Sequence, residues 1–262
     1  MIESANNGKI KQLQQLIGKS KYRREQQLFT AEGVKLYRET PPELRHSVYV
    51  SEAFLKENEA LLEGVTYEVI KDALFKKVCD TQTPQGILTV VRMPKYRLED
   101  LLGNPSCEQP LIMVLENLQD PGNVGTILRT GEGAGVTGVL MGPQTADIFQ
   151  PKVIRSTMGS IFRVPFLRVN DLSQAVEWLK EHGVRTYAAH LAGKNSYHQE
   201  KYTEGTAFLI GNEGRGLTDE LSAEADCLIR IPMEGKVESL NASIAAALLM
   251  YTAHAQRHTE EK

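Results

Sequence analysis

Short apolar stretches recur along the chain with helical spacing between them. Those at 111–115, 136–141, 163–168, 184–189, 206–210 and 227–231 read as buried strands. The segments between them predict helices near 123–133, 148–159, 171–182 and 217–224, with a last one over 240–257. This alternation implies α/β architecture: a mostly parallel sheet with helices on both faces. The first ninety-odd residues repeat the theme on a smaller scale. Ile10, Leu13, Leu16 and Ile17 place a helix within 2–20, and a helix through Val34, Leu36 and Tyr37 is stopped by Pro41-Pro42. Strands at 48–50, 67–70 and 86–91 flank helices at 52–62 and 73–78. The predicted organisation is a basic helix or arm over 1–20, a small α/β domain over 21–94, a linker over 95–109 and a larger domain over 110–262. Pro94, Gly103, Pro105 and Pro110 mark the linker.

With 262 residues there is room for one large domain or two modest ones. The longest apolar run, 244–250, is bracketed by Asn241 and His254 and is too short to span a membrane. The first ten residues lack a signal-peptide core. Cys79, Cys107 and Cys227 are few, odd in number and far apart, which fits neither a disulfide framework nor a zinc cluster. The expected compartment is a reducing cytoplasm, with no metal and no membrane. Net charge is −3, yet residues 1–24 carry six basic side chains against Glu3 alone. That segment is therefore +5 and the remainder −8. This basic arm, Lys21, Arg23 and Arg24 included, could neutralise phosphates; a solvated helix face is the competing reading.

Chemistry concentrates at three predicted strand ends. After 111–115 comes Glu116-Asn117-Leu118-Gln119-Asp120-Pro121-Gly122-Asn123, a turn that opens a helix near Asn123 or Val124. Asn123 then lies at the helix mouth and Arg129 in its second turn, at the carboxyl end of a strand, where α/β sheets bind ligands. After 206–210 comes Gly211-Asn212-Glu213-Gly214-Arg215-Gly216-Leu217, and after 227–231 a loop ending in Glu238-Ser239-Leu240-Asn241-Ala242-Ser243, with Ser239 as the expected N-cap. The glycines at 133, 135 and 138 match a dinucleotide fingerprint in letters. They lie between a helix and a strand with no helix following, so that reading is rejected.

These motifs resemble the SpoU, or TrmH-like, branch of the SPOUT RNA methyltransferases. The resemblance rests on Asn123, Gly125 and Arg129, on the 211–217 loop, and on the segment 231–243. It covers most of 111–257, and Ala242 is one small departure. More loosely, Arg23-Arg24, Phe29, Glu32-Gly33 and the run 83–87 are similar to the family's ribosomal RNA substrate-binding domain. The resemblance implies methylation of a ribose 2′-hydroxyl in RNA by S-adenosylmethionine, a C-terminal trefoil knot, and a homodimer with its active site near the subunit interface. General topology rules would have argued against a knot.

On that basis the catalytic residues are Arg129, Asn123, Glu213, Ser239 and Asn241. Arg129 is to hold a phosphate and stabilise the developing alkoxide, since a guanidinium hardly ever releases its proton. Asn123 is to fix Arg129 or the ribose, and Glu213 to accept a proton or pair with Arg129. Ser239 and Asn241 are to hydrogen-bond the hydroxyl or the cofactor's methionine end. Gly211, Ile231 and Leu240 are the leading cofactor residues, the last two flanking the adenine, joined by Ile210, Asn212, Gly214 and Met233. Ala189, His190 and Leu191, at another strand end, belong to the same expected pocket. Lys152, Arg155 and Arg163 are placed on an RNA path or a plain surface, and Trp178 in the packing. His190 and His198 are not expected to be catalysts. The alternatives are a transfer-RNA ribose methyltransferase and a non-catalytic RNA-binding assembly factor.

Overall fold

The computed structural model describes residues 1–104 and 109–258. Pro105 and Cys107 of the expected linker, and the end of the expected second domain, lie outside them. The chain forms two compact units, Met1–Lys95 with Asp147–Phe162, and Tyr96–Ala146 with Arg163–Lys262.

The first unit begins with α1 (Gly8–Gly18), α2 (Ser20–Gln26), β1 (Leu28–Glu32) and α3 (Val34–Glu39). It continues through β2 (Arg45–Ser51), α4 (Glu52–Glu57), β3 (Tyr67–Ile70), α5 (Asp72–Val78) and β4 (Ile87–Arg92). The sheet order is β1-β4-β2-β3, with only β2 and β3 parallel. Alternate residues separate its faces. Tyr49, Leu88 and Val90 join Ile10, Leu13 and Leu16 of α1 and Phe75 of α5, whereas Val48, Val50 and Ile87 join Tyr37 and Phe54. The expected arm over 1–20 is therefore corrected: its helix closes a hydrophobic core, and the chain turns at Lys19 into a second helix. The sequence reading passed over β1, which is short and follows α2 almost directly.

Segment Asp147–Phe162 packs into this first unit, although it comes from the span assigned to the second domain. Phe29 meets Phe149 at a 5.0 Å ring separation and Phe162 at 6.3 Å. Arg23 is only 3% exposed. Its Nε and Nη2 donate to Asp147 Oδ2 at 3.1 and 2.6 Å, and its Nη1 donates to the carbonyls of Leu16 and Ile17 at 2.7 and 3.0 Å. Every face of this guanidinium is engaged, so Arg23 is corrected from an RNA contact to a structural tie.

In the second unit β5 (Leu111–Leu115) leads to α6 (Pro121–Ala134) and β6 (Gly138–Met141). Helix α7 (Pro151–Thr157) lies in the first unit's segment. There follow β7 (Phe166–Arg168), α8 (Leu172–Glu181), β8 (Arg185–Ala189), β9 (Asn195–Ser196) and β10 (Thr206–Ile210). The last elements are α9 (Asp219–Glu224), β11 (Cys227–Arg230) and α10 (Ala242–Arg257). Strand order is β7-β6-β5-β10-β8-β11-β9, and each of these pairings is parallel. Ile112, Val114, Ala207 and Leu209 face α8 and α9. On the other side α10 packs on β10 and on α6, where Gly131 leaves room for the Met250 sulfur. The 96–104 stretch of the expected linker is corrected too: Leu101 is fully buried in the second unit's core, against Gly138.

Candidate active site

Three loops at the carboxyl ends of β5, β10 and β11 meet through side-chain amides and carboxylates. Asp120 caps α6 by accepting from Gly122 N at 2.8 Å, with Pro121 as the first helical residue. The helix thus starts two residues earlier than expected, and Arg129 falls in its third turn. The second loop closes on itself, because Asn212 and Gly216 exchange backbone hydrogen bonds at 2.9 Å in both directions. A Cβ on Gly211 would lie 2.1 Å from the backbone of Gly216 and Leu217, so only glycine fits there. This ring carries Glu213 at its tip. Glu213 Oε1 accepts from Asn123 Nδ2 at 2.9 Å and Asp120 N at 3.1 Å, while Oε2 accepts from Gln119 N at 3.2 Å. Burial would raise this carboxyl's pKa, but those donors outweigh it and hold the group below the usual carboxylate range.

Asn241 completes the junction. Its Nδ2 donates to Asn123 Oδ1 at 3.0 Å, and its Oδ1 accepts from the backbone N–H groups of Ser243 and Ile244. Asn241, rather than the expected Ser239, is therefore the cap of α10; the helix begins two residues too late for Ser239 to reach it. Both ends of the Asn123 amide are occupied, so it does not hold Arg129. The expected Glu213–Arg129 pair is likewise absent among the described residues, since Glu213 turns to backbone donors. Arg129 is exposed. It lies six residues beyond Asn123, about 9 Å along the helix and on another side of it.

Beside this junction is a cavity of about 320 Å³, within the ordinary range for small-molecule sites. Ala189, His190 and Leu191 line it from the end of β8, and Ile210, Gly211, Asn212 and Gly214 from the end of β10. Ile231, Met233 and Leu240 complete the lining, so all ten expected cofactor residues surround one space. Ser239 and Glu213 also line it, whereas Asn123, Asn241 and Arg129 do not. Sequence reasoning missed the charged lining residues Arg215, Arg230 and Glu238. Arg215 and Glu238 stand inside the motif segments and Arg230 directly before one, which is their only signal in the sequence. Apolar side chains from β10 and the 231–240 segment suit a flat base, and the polar backbone of the 211–216 ring suits a charged tail. The donor set thus fits an adenosyl amino-acid cofactor. Among the described residues no group of three or more His, Cys, Asp or Glu side chains is arranged to hold a metal ion, and no helix is long and apolar enough to cross a membrane.

Of the remaining candidates, Lys21 and Arg24 are exposed on α2. Arg155 is half-buried, with Nη2 2.8 Å from Asp80 Oδ2. Arg163 pairs with Glu132. Trp178 lies against the sheet-side core and stacks on His182 at 3.8 Å.

The fold and this junction define a class. Residues 110–251 match the SpoU rRNA Methylase family and residues 7–89 the MRM3-like substrate binding domain. A 23S rRNA (guanosine(2553)-2′-O)-methyltransferase of Bacillus subtilis is 35% identical over 254 residues, covering 95% of this chain and 97% of its own. An AdoMet-bound rRNA methyltransferase from Sinorhizobium meliloti superposes with a TM-score of 0.84 at 30% identity, covering 96% of each chain. The SpoU methyltransferase AviRb of Streptomyces viridochromogenes, in complex with AdoMet, gives 0.85 at 28% identity, covering 96% of this chain and 98% of its own. The chain belongs to the SpoU rRNA methylase family.

Proposed function

We propose that this protein methylates a ribose 2′-hydroxyl of RNA with S-adenosylmethionine, and that ribosomal RNA is its substrate class. The observation that carries this reading is one cavity lined by the ends of β8, β10 and β11, beside the Asn123–Glu213–Asn241 junction. The Bacillus subtilis relative named for 23S rRNA matches through both units, and the first unit's match is a substrate-binding domain, which favours ribosomal over transfer RNA.

Bound in the cavity, S-adenosylmethionine supplies an electrophilic methyl group. Ile231 and Leu240 would flank its adenine, and the backbone of the 211–216 ring would receive its polar end. Glu213, committed to donors from Gln119, Asp120, Asn123 and Asn212 and lowered in pKa, is a poor base; with Asn123 and Asn241 it positions the loops. Arg129, permanently charged, holds the target phosphate and stabilises the developing alkoxide, and Ser239 at the rim hydrogen-bonds the ribose. Arg129 lies outside the cavity of its own chain, and α10 carries an apolar stripe of exposed Ile244 and Tyr251 with half-buried Leu248 between them. Both features support a homodimer whose site is completed at the subunit interface. The second unit closes as a trefoil knot, Lys21 and Arg24 meet RNA, and the enzyme works in the cytoplasm.

The test combines cofactor calorimetry with mapping of 2′-O-methyl groups on ribosomal and transfer RNA. Wild type is expected to bind S-adenosylmethionine and methylate ribosomal RNA. Arg129→Ala is expected to lose methylation while cofactor affinity stays within about threefold, less than 1 kcal/mol. A fully active variant removes Arg129 from the site. Methylation of transfer RNA alone changes the substrate class, and failure to bind the cofactor, with or without RNA, leaves a non-catalytic RNA-binding factor.

A further inference from the structure

The 211–217 ring is held at its tip by Glu213 and near its start by Asn212 Nδ2, which donates to Asn117 O at 2.9 Å, but neither contact fixes its far end. That end, at the base of the ring, has its own tie. Glu116, the first residue past β5, is 8% exposed, and its backbone N–H donates to Ile210 O at 2.9 Å, where the ring departs from β10. Its two carboxylate oxygens turn to one residue, Thr218, at the other end of the ring. Oε2 accepts from Thr218 N and Oε1 from Thr218 Oγ, each at 2.7 Å. Thr218 Oγ in turn accepts from Leu221 N at 3.2 Å, capping α9. A carboxylate this deeply buried needs its donors, and both come from Thr218.

The two loops are therefore joined reciprocally. A carboxylate of the β5 loop grips the base of the ring, and a carboxylate of the ring grips the β5 loop. Gly211 to Leu217, which form one wall of the cavity, lie between these two grips.

We infer that the Glu116–Thr218 pair is a positioning device for the cofactor wall, setting affinity for S-adenosylmethionine rather than the rate of methyl transfer. Neither side chain needs to touch substrate: Glu116 acts through Thr218 and the ring. This inference rests on the cofactor occupying that cavity, and wild-type binding is the control that separates the two ideas.

The experiment measures S-adenosylmethionine affinity by calorimetry, together with kcat and both KM values, on the full chain. Glu116→Gln keeps the α9 cap but loses one acceptor, and Thr218→Val loses the hydroxyl but keeps the N–H. Thr218→Ser retains both donors. The first two variants are expected to weaken cofactor binding about tenfold, the scale of one hydrogen bond to a charged group. They should leave kcat at saturating cofactor within about threefold and KM for RNA unchanged, and Thr218→Ser should bind like wild type. The double variant Glu116→Gln/Thr218→Val should bind no more weakly than the weaker single, because both remove one interaction. Wild type that binds while a folded Thr218→Val binds equally well overturns the inference, whatever Glu116→Gln does to folding. A Thr218→Ser variant as weak as Thr218→Val, or additive losses in the double variant, overturns it too. Wild type that does not bind the cofactor instead removes the functional reading beneath it.

Discussion

Arg23 shows where a residue's neighbours in sequence mislead. It sits in a basic run, and a basic run facing solvent is the ordinary expectation. Its partner, Asp147, is 124 positions away and invisible to local spacing. Asn123, Glu213 and Asn241 were legible because motif spacing named them, but their hydrogen bonds to one another were not. The Arg23–Asp147 pair makes a testable statement about acid stability. Burial pulls the Asp147 carboxyl upward, yet the hydrogen bond and charge of Arg23, with the Phe149 N–H, outweigh it and leave the pKa lowered. A carboxylate lowered on folding contributes stability that is fully present above its unfolded pKa, near 4, and is lost as pH falls through the folded value. Arg23→Ala, which strands a largely buried charge, is expected to cost about 3 kcal/mol at pH 7 by denaturant unfolding. The gap to wild type should narrow steadily below pH 4. A gap independent of pH would mean that lost packing, not the ion pair, explains the cost.

Among the elements, α10 was legible as a helix but not as a surface. Its sequence, Ala-Ser-Ile-Ala-Ala-Ala-Leu-Leu-Met-Tyr, is apolar on nearly every side, which by itself indicates a buried helix. Ala246, Leu249, Met250 and Ala253 are indeed enclosed, whereas Ile244 and Tyr251 are about half exposed. A stripe at i, i+4 and i+7 with this composition has the form of an interface. In a two-fold dimer each substitution meets the interface twice. Ile244→Glu/Tyr251→Glu is therefore expected to convert a dimer to a monomer in sedimentation experiments at micromolar concentration, raising the dimer Kd at least about 100-fold. The denaturation midpoint of the subunit should hold, because neither side chain belongs to the core. A double variant that remains dimeric, or a wild type already monomeric, would leave the stripe without this role.

At the scale of the molecule, periodicity revealed the alternation of strands and helices, and so the sheet, but not how the chain is shared between the two units. Reading along a sequence assumes that a domain is continuous. Here the chain between β6 and β7 contributes Asp147–Phe162 to the first unit, where Phe149 and Phe162 pack on Phe29. Strand order escaped the sequence for a related reason: β10 enters between β5 and β8, a long-range pairing that local pattern does not encode. This division also decides how the RNA reading must be tested. Removing residues 1–24 would delete Ile10, Leu13, Leu16 and the Arg23 tie, so any loss of RNA binding would report a damaged core. Reversing only the exposed charges, Lys21→Glu/Arg24→Glu, leaves that core intact. If both side chains neutralise phosphates, the slope of log binding constant against log salt should become shallower by about 1.5, the sum of two contacts at roughly 0.7 to 0.9 each. Affinity for S-adenosylmethionine should not move, since the cavity is built wholly within the other unit. An unchanged slope would place Lys21 and Arg24 on a solvated face, and the search for the RNA surface would pass to other exposed cations of the first unit.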